Sequence, residues 1–489
     1  MMFDVAIVGY GPVGATAAAL LGQAGLSVYV CDRQCGVYTI PRAIALDHEV
    51  MRVFQQLGLM QAITPHIEPF TPSEYFGVDG QMIRRMTMVD PPYPLGHTPS
   101  LVFSQPPVER ALRARVAQLR GVTVAEGIGL HALTQDADGV ALGVDGGTVR
   151  ARWAIGCDGG ASTVRTLLGI PLDDLDFDEP WLVVDVRVNG RGLAKLPKTS
   201  VQYCEPERPC TLVIGPGNHR RWEISLKAGE SAEWAATPEG TWSLLSRWLT
   251  PQDGELWRQS SYRFHALVAQ RWRQGRVFLA GDAAHMQPPF LGQGMCQGIR
   301  DVTNLAWKLA AVVRQQAGDA LLDTYGHERR AHVCELTRRI KAIGAVICER
   351  DVAKARARDA ALLAQCGGRV RDTPRQDIVP GLETGLISHT PGSGTLFPQP
   401  RSASGQLMDE RFGCGWRLVH DGSTAPGPVE GLDSVELSPE RDSEGVAAAW
   451  MQRHACHLAV VRPDHYVYGT AVDVPTLNVL LAPWRAALR

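Results

Sequence analysis

Residues Phe3 to Asp32 read F-D-V-A-I-V-G-Y-G-P-V-G-A-T-A-A-A-L-L-G-Q-A-G-L-S-V-Y-V-C-D. Phe3 to Val8 is a short apolar run that reads as a buried strand. The turn G-Y-G-P-V-G follows at Gly9–Gly14, then an alanine-rich stretch with helical spacing, then a second strand from Leu26 to Cys31. Strand, glycine turn, helix and strand make a βαβ unit, and this unit has a purpose. Gly9 permits the tight turn, Gly11 lets the backbone approach a pyrophosphate, and Gly14 allows helix and strand to pack closely. Pro12 and Val13 open the helix, whose free N–H groups and partial positive charge suit phosphate. Asp32 ends the second strand, where a carboxylate accepts ribose hydroxyls. That carboxylate disfavours a 2′-phosphate, so the expected ligand is FAD or NAD rather than NADP.

No charged residue stands between Asp4 and Asp32, a span long enough to suggest a membrane helix. Six glycines and prolines interrupt it, and strands covered on both faces read the same way. No basic segment precedes it, so a signal peptide is also a poor fit. The whole chain has 489 residues, 45% hydrophobic and 20% charged, which fits a globular protein of two or three domains. Its 49 basic and 51 acidic residues give a net charge of −2. No polybasic footprint exists, so neither nucleic acid nor an anionic membrane is expected as a partner. Eleven cysteines are scattered without a C-x-x-C pair. They imply neither a disulfide framework nor a metal site, and point to a reduced, cytoplasmic protein.

Further along, residues 50–60 and 106–119 carry helical spacing, and short strands run through about 122–155. L-V-V-D-V-R-V from Leu182 alternates with period two and should place Val184, Val186 and Val188 on one face. A hairpin is expected around Gly215–Asn218. This antiparallel pattern, inserted in an α/β chain, predicts a second domain covering a substrate. The buried-strand pattern returns at R-V-F-L-A-G-D (Arg276–Asp282), followed by a Gly/Pro loop and a long helix from about Gly298. The expected layout is a discontinuous dinucleotide domain (1–175 and 260–365) and a covering sheet domain (176–259, with parts of 60–105). A linker (366–402) and a small α/β domain (403–489) complete it.

Two more motifs carry chemistry. C-D-G-G-A-S-T-V-R spans Cys157–Arg165, where taken alone Asp158–Gly159 reads as an ordinary turn and Arg165 as an ordinary helix charge; G-R-V-F-L-A-G-D-A-A-H-M-Q-P-P-F-L-G-Q-G-M spans Gly275–Met295. Gly281 and Asp282 end a buried strand, where the carboxylate can accept from a polyol such as a ribityl chain. As a bare strand-end acid, Asp282 can equally cap a helix. Gly292, Gln293, Gly294 and Met295 can aim N–H groups at the carbonyl of a planar ring.

The three motifs together, with D-R after the second strand, P-R-A-I-A-L-D-H-E-V-M-R-V-F-Q-Q-L-G-L, S-Q-P-P-V-E-R-A-L and L-L-D-T-Y-G-H-E-R-R, resemble the flavin-dependent aromatic hydroxylases. These are single-component monooxygenases of the para-hydroxybenzoate hydroxylase fold, and the closest branch is the 3-(3-hydroxyphenyl)propionate hydroxylase-like one. The resemblance covers residues 2 to about 345. Residues 397–489 more weakly resemble the shortened thioredoxin-like domain of these enzymes, here without C-x-x-C. The resemblance implies non-covalent FAD, with NAD(P)H and O2 as co-substrates and a phenol or similarly activated aromatic as substrate. Oxygen would transfer from a C4a-hydroperoxide of the flavin, in a pocket closed to water. A homodimer is a further expectation.

Carried over by position, Gly9, Gly11 and Gly14 would hold the pyrophosphate, Asp32 the ribose and Arg33 the adenosine side. Arg42 would face the phosphates, Gln105 the ribityl region, and Asp158 both FAD and the reductant's approach. Asp282 would bind the ribityl chain, while Pro289 and Gly292–Met295 would border the ring. Phe290 is a candidate pocket wall. For the catalytic base, His48 and Tyr203 are candidates, each with a plain structural role as its competitor. His285 reads as structural. Arg220 and Arg221 could attract a carboxylate on the substrate, with a solvated hairpin charge as the competing reading. The competing functions are a reductase, dehydrogenase or halogenase on the same fold, and a flavin-holding protein without turnover.

Overall fold

The structure is a computed structural model that describes residues 2–424 and 426–488. The strand Met2–Val8 lies inside an eight-stranded sheet. Parallel neighbours flank it, Gly147–Gly156 on one side and Val28–Asp32 on the other. Val122–Glu126 and Val277–Leu279 extend these two sides, also in parallel. Val5, Ala6, Ile7, Val28 and Val30 are completely buried. A parallel sheet covered on both faces has no solvent side, which is why the strands read as unbroken apolar runs. The helix Pro12–Gln23 buries Ala15, Ala17, Ala18 and Ala19 fully. Side chains this small let it lie against the helix Gly294–Val313.

The second sheet has nine strands. In spatial order they are His285–Met286, Gly254–Ala269, Leu172–Val188, His219–Ser225, Cys210–Ile214, Ser200–Tyr203, Ser73–Phe76, Met82–Thr87 and Arg371–Pro374. Cys210–Ile214 and His219–Ser225 form the expected hairpin. Val184, Val186 and Val188 do share a face, with Trp222 and Ile224, but it packs against Ala235, Leu245 and Leu249. The valine face is therefore covered by the helices Ala232–Ala235 and Pro238–Leu245. Strand alternation turns Val183, Asp185, Arg221 and Glu223 the other way, toward the first domain. Residues 366–402 contribute the edge strand Arg371–Pro374, parallel to Met82–Thr87.

The C-terminal sheet runs Asp433–Glu436, Arg417–His420, Leu458–Val461, Val467–Ala471. Its first pair is parallel and the next two are antiparallel. Helices Val446–Arg453 and Val474–Ala487 accompany it. It is bound to the first domain by buried polar contacts. Arg462 bonds Glu328 (2.7 Å) and Asp464 (2.7 Å), Lys308 bonds Glu328 (2.8 Å), and Asn304 reaches both acids. No helix among the described residues is long and apolar enough to cross a membrane.

Candidate active site

Four parallel strands deliver the three motifs to one edge of the first sheet. Asp32, Gly9, the Cys157–Asp158 turn and Gly281–Asp282 follow neighbouring strands in that order. Three inter-strand spacings of about 4.8 Å make a row roughly 14 Å long, which suits an extended dinucleotide at the carboxyl ends of the strands. Gly9 has φ +101°, and a Cβ there would stand 2.4 Å from the carbonyl oxygen of Cys157. A Cβ on Gly14 would stand 2.0 Å from the Gly9 oxygen. Gly11 faces open space instead, with nothing within 4 Å of its would-be Cβ. The turn is thus closed behind and open in front, where a phosphate could approach. Asp32 is held in place, since Oδ2 accepts from Tyr10 N–H (2.6 Å) and Oδ1 from Gln34 N–H (2.8 Å).

At the other end, Asp282 is reachable by solvent yet crowded by protein, as expected at the floor of a cleft. Burial pushes its carboxyl up, opposed by His285 and Arg42. Among the described residues it has no hydrogen-bond donor. Gly294, the first residue of a 20-residue helix, also faces open space. Gly292 has φ +62° and lies so near Ala45 that a Cβ would meet it at 2.9 Å. Gln293 accepts from Arg300 (3.0 Å), which fixes the loop from behind. Arg165 stitches the middle of the row, bonding the carbonyls of Gly160 (2.7 Å) and Ala283 (2.9 Å). An unpartnered carboxylate, two helix N-termini on open space and a closed glycine turn fit a flavin dinucleotide.

Some expected residues carry structural bonds as well. Asp158 accepts from Ser162 Oγ (2.5 Å) and Val164 N–H (3.1 Å) at the start of the helix Thr163–Leu167, whose N-cap is Ser162. Gln105 accepts from the N–H groups of Arg42 (3.0 Å) and Ala43 (2.7 Å), which shapes the Arg42 segment. The exposed Arg42 guanidinium rests over Tyr38, 4.7 Å from the ring centroid. Arg33 is also exposed. Phe290 is buried edge-on against Phe177 and Trp181, each at 5.7 Å. With Pro289 beside it, this makes an apolar wall.

Of the catalytic candidates, Tyr203 is on the far face of its strand. It packs on Trp248 at 5.4 Å, and its hydroxyl accepts from Trp248 Nε1 (3.1 Å). Alternation makes its neighbour Gln202 face inward instead. His48 borders a cavity of about 200 Å³ that also touches Leu291, Gln293, Arg300, Arg375 and Tyr466. Burial pulls its imidazole down to about 4, so it is neutral near pH 7. His285 bonds Asp301 (2.7 Å) and stacks on Trp272. Arg220 donates to carbonyls of its own hairpin. Arg221 is not a solvated hairpin charge, because it is buried against Asp185 (2.7 Å).

Sequence reading gave no role to Tyr10, Asp185, Arg258 and Glu223, and none beyond a motif end or a hairpin charge to Arg165 and Arg221. Asp185, Arg221, Arg258 and Glu223 become neighbours only through sheet register. Asp409, Cys414 and His465 stand within 4.8 Å of one another. Arg52 and Arg417 already occupy the Asp409 oxygens at 2.5–3.0 Å, so that cluster is cationic and unsuited to a metal.

The profile of the FAD binding domain family matches residues 2–340. The chain belongs to the flavin-dependent aromatic hydroxylases. This hydroxylase is 39% identical to a probable NADH-specific resorcinol 4-hydroxylase of Rhodococcus jostii, covering 99% of this chain and 95% of the relative. It is 33% identical to a 3-(3-hydroxy-phenyl)propionate/3-hydroxycinnamic acid hydroxylase of Mycobacterium sp. strain KMS, covering 96% and 88%. Among solved structures, the flavin-dependent monooxygenase PieE shares the fold at TM-score 0.83 and 21% identity, covering 100% and 99%. The p-nitrophenol 4-monooxygenase PnpA of Pseudomonas putida is similar at TM-score 0.67 and 28% identity, covering 75% and 94%. FAD is the cofactor, and the chain is a flavoprotein monooxygenase.

Proposed function

We propose that this enzyme uses NADH and O2 to hydroxylate a small benzene ring that carries a free hydroxyl and a second substituent meta to it. The observation that carries this reading is shared by the two relatives. Resorcinol and 3-(3-hydroxyphenyl)propionate differ in charge and size, but each has a hydroxyl meta to another group. A ring hydroxyl feeds electron density to its ortho and para carbons, which makes them the sites that an electrophilic oxygen attacks.

Bound FAD supplies the activation of O2 with electrons from the nicotinamide. The chain supplies placement. Gly9, Gly11 and Gly14 hold the pyrophosphate, Asp32 the ribose, Asp282 the ribityl hydroxyls and Gly292–Met295 the ring edge. The charge of Arg42 acts on the Asp282 carboxyl, and the Arg42 backbone is fixed by Gln105 and Arg221. The Phe177–Trp181–Phe290 wall keeps water from the reacting centre, where stray protons would waste the oxidant. NADH as reductant follows the Rhodococcus relative. Eleven unpaired cysteines suit a reducing cytoplasm.

The test is a panel of resorcinol, 3-(3-hydroxyphenyl)propionate and their ortho and para isomers, with NADH or NADPH. NADH consumption matched by hydroxylated product from a meta compound is the expected result. Turnover confined to para or ortho isomers would refute the substrate class.

A further inference from the structure

We propose that Glu223 takes the hydroxyl proton of the aromatic substrate. This rests on the hydroxylase reading and adds to it the group that sequence patterning did not find.

The argument begins with sheet register. Asp185 pairs across the sheet with Arg221 on one side and Arg258 on the other. Side chains in this row reach the first domain. Arg221 donates to the carbonyl of Arg42 (2.8 Å), and Arg258 to that of Pro41 (2.7 Å). Four residues along the same face, Trp181 pairs with Ser225 and Tyr262, and its ring touches Phe290. Between these rows lies a third, in which Glu223 pairs with Val183 and Thr211, and Val183 pairs with Ser260. Rows on one face are separated by about 7 Å. Glu223 therefore lies on this face between the row that bonds the Pro41–Arg42 backbone and the row whose Trp181 touches Phe290.

Glu223 is buried, its carboxylate forms no hydrogen bond among the described residues, and neither oxygen is fully enclosed by protein. Its neighbours are already committed. Asp185 takes Arg221 through both oxygens (2.7 and 3.0 Å) and His219 (2.6 Å), while Arg258 bonds Pro41 and Tyr262. An unpaired buried carboxyl costs stability, and glutamine of the same shape would cost less, so retaining the acid calls for a partner that arrives later. A phenol hydroxyl is such a partner. Burial, with the charge of Asp185, pushes the Glu223 carboxyl up to about 7 against the pull of Arg221 and Arg258. The other titratable or charged groups around it are His219, Tyr262, Cys210 on the adjoining strand, and Arg350 beyond Ser225. In the proposed step the O–H bond of the phenol breaks toward a Glu223 oxygen. The electron pair stays on the phenol oxygen and raises the electron density of the ring carbon that is attacked.

The experiment compares the holoenzyme with Glu223→Gln and Glu223→Asp, following product formation and FAD content from pH 5.5 to 9. Wild-type kcat/KM should rise through about pH 7 as the carboxyl loses its proton. Glu223→Gln should lose that limb and fall about 10²-fold, the low end for a general base. It should keep its FAD and unfold at the same or a higher temperature. Glu223→Asp should keep a limb at a displaced pH, which a purely structural role would not produce. A Glu223→Gln enzyme that keeps both the limb and the rate overturns the proposal while leaving the hydroxylase reading intact. Wild-type enzyme that makes no product from any phenol overturns both.

Discussion

Gly11 and Gly14 stand three residues apart and should fail in different ways. A methyl on Gly14 would stand 2.0 Å from the Gly9 oxygen, so Gly14→Ala forces the turn open. The expected cost is about 1–3 kcal/mol with loss of bound flavin, read from thermal unfolding and the ratio of visible to protein absorbance. A methyl on Gly11 meets no protein atom within 4 Å. Gly11→Ala should leave apoprotein stability unchanged and weaken FAD binding, because the methyl enters the space offered to phosphate. At Asp282, replacement by Asn removes an unpartnered carboxylate. Apoprotein should be as stable as before, and FAD should dissociate about 10- to 100-fold more readily, the worth of a charged hydrogen bond. Equilibrium flavin fluorescence would measure it.

Asp185 gives a pH signature at the same scale. Burial would raise its carboxyl, but Arg221 and His219 overcome that and lower it to about 2. A carboxyl depressed in the folded state stabilises above its unfolded pKa, about 3.9, and that stability is lost as pH falls through the folded value. The contribution, roughly 2–3 kcal/mol, should be complete at pH 6 and disappear between about pH 4 and 2. Denaturant titrations at pH 6 and 3.5 on wild type and Asp185→Asn would show the difference shrinking. A constant difference would refute the assignment.

Among the elements, strands and helix starts were the most readable. The run around Gly9–Gly14 is local, with both periods and the turn glycines within 30 residues, and it sits where the sequence places it. The alternation of Val184, Val186 and Val188 correctly marks one face of a strand. Alternation alone does not say which face meets the cofactor, and the valines proved to be the side under the helices. The same ambiguity leaves Tyr203 with two readings on sequence, and of these it takes the structural one, packed on Trp248 and one residue out of phase with Gln202. Asp158 bonds Ser162 and the Val164 N–H at a strand end, and sequence alone does not separate that structural role from a ligand contact, because both use the same residue type there. Glu223, Asp185 and Arg258 become neighbours only through pairing of strands 35 to 73 residues apart, which no local pattern contains.

At the scale of the whole molecule, the C-terminal sheet is bound through charge rather than apolar surface alone. Arg462 and Lys308 hold the Glu328 carboxyl well below the usual range, against the burial that would raise it. Arg462→Met leaves that carboxylate short of a partner and should destabilise the protein by about 3–5 kcal/mol. Limited proteolysis should then cut first at the 403–489 unit, and unchanged cleavage would contradict this reading of the interface.

The most direct test of the whole account is turnover of the reconstituted FAD enzyme with NADH and resorcinol under ¹⁸O2. The account predicts one labelled oxygen in the hydroxylated ring for each NADH oxidised. Unlabelled product, or NADH oxidation that yields only peroxide with every meta-substituted phenol, would contradict it.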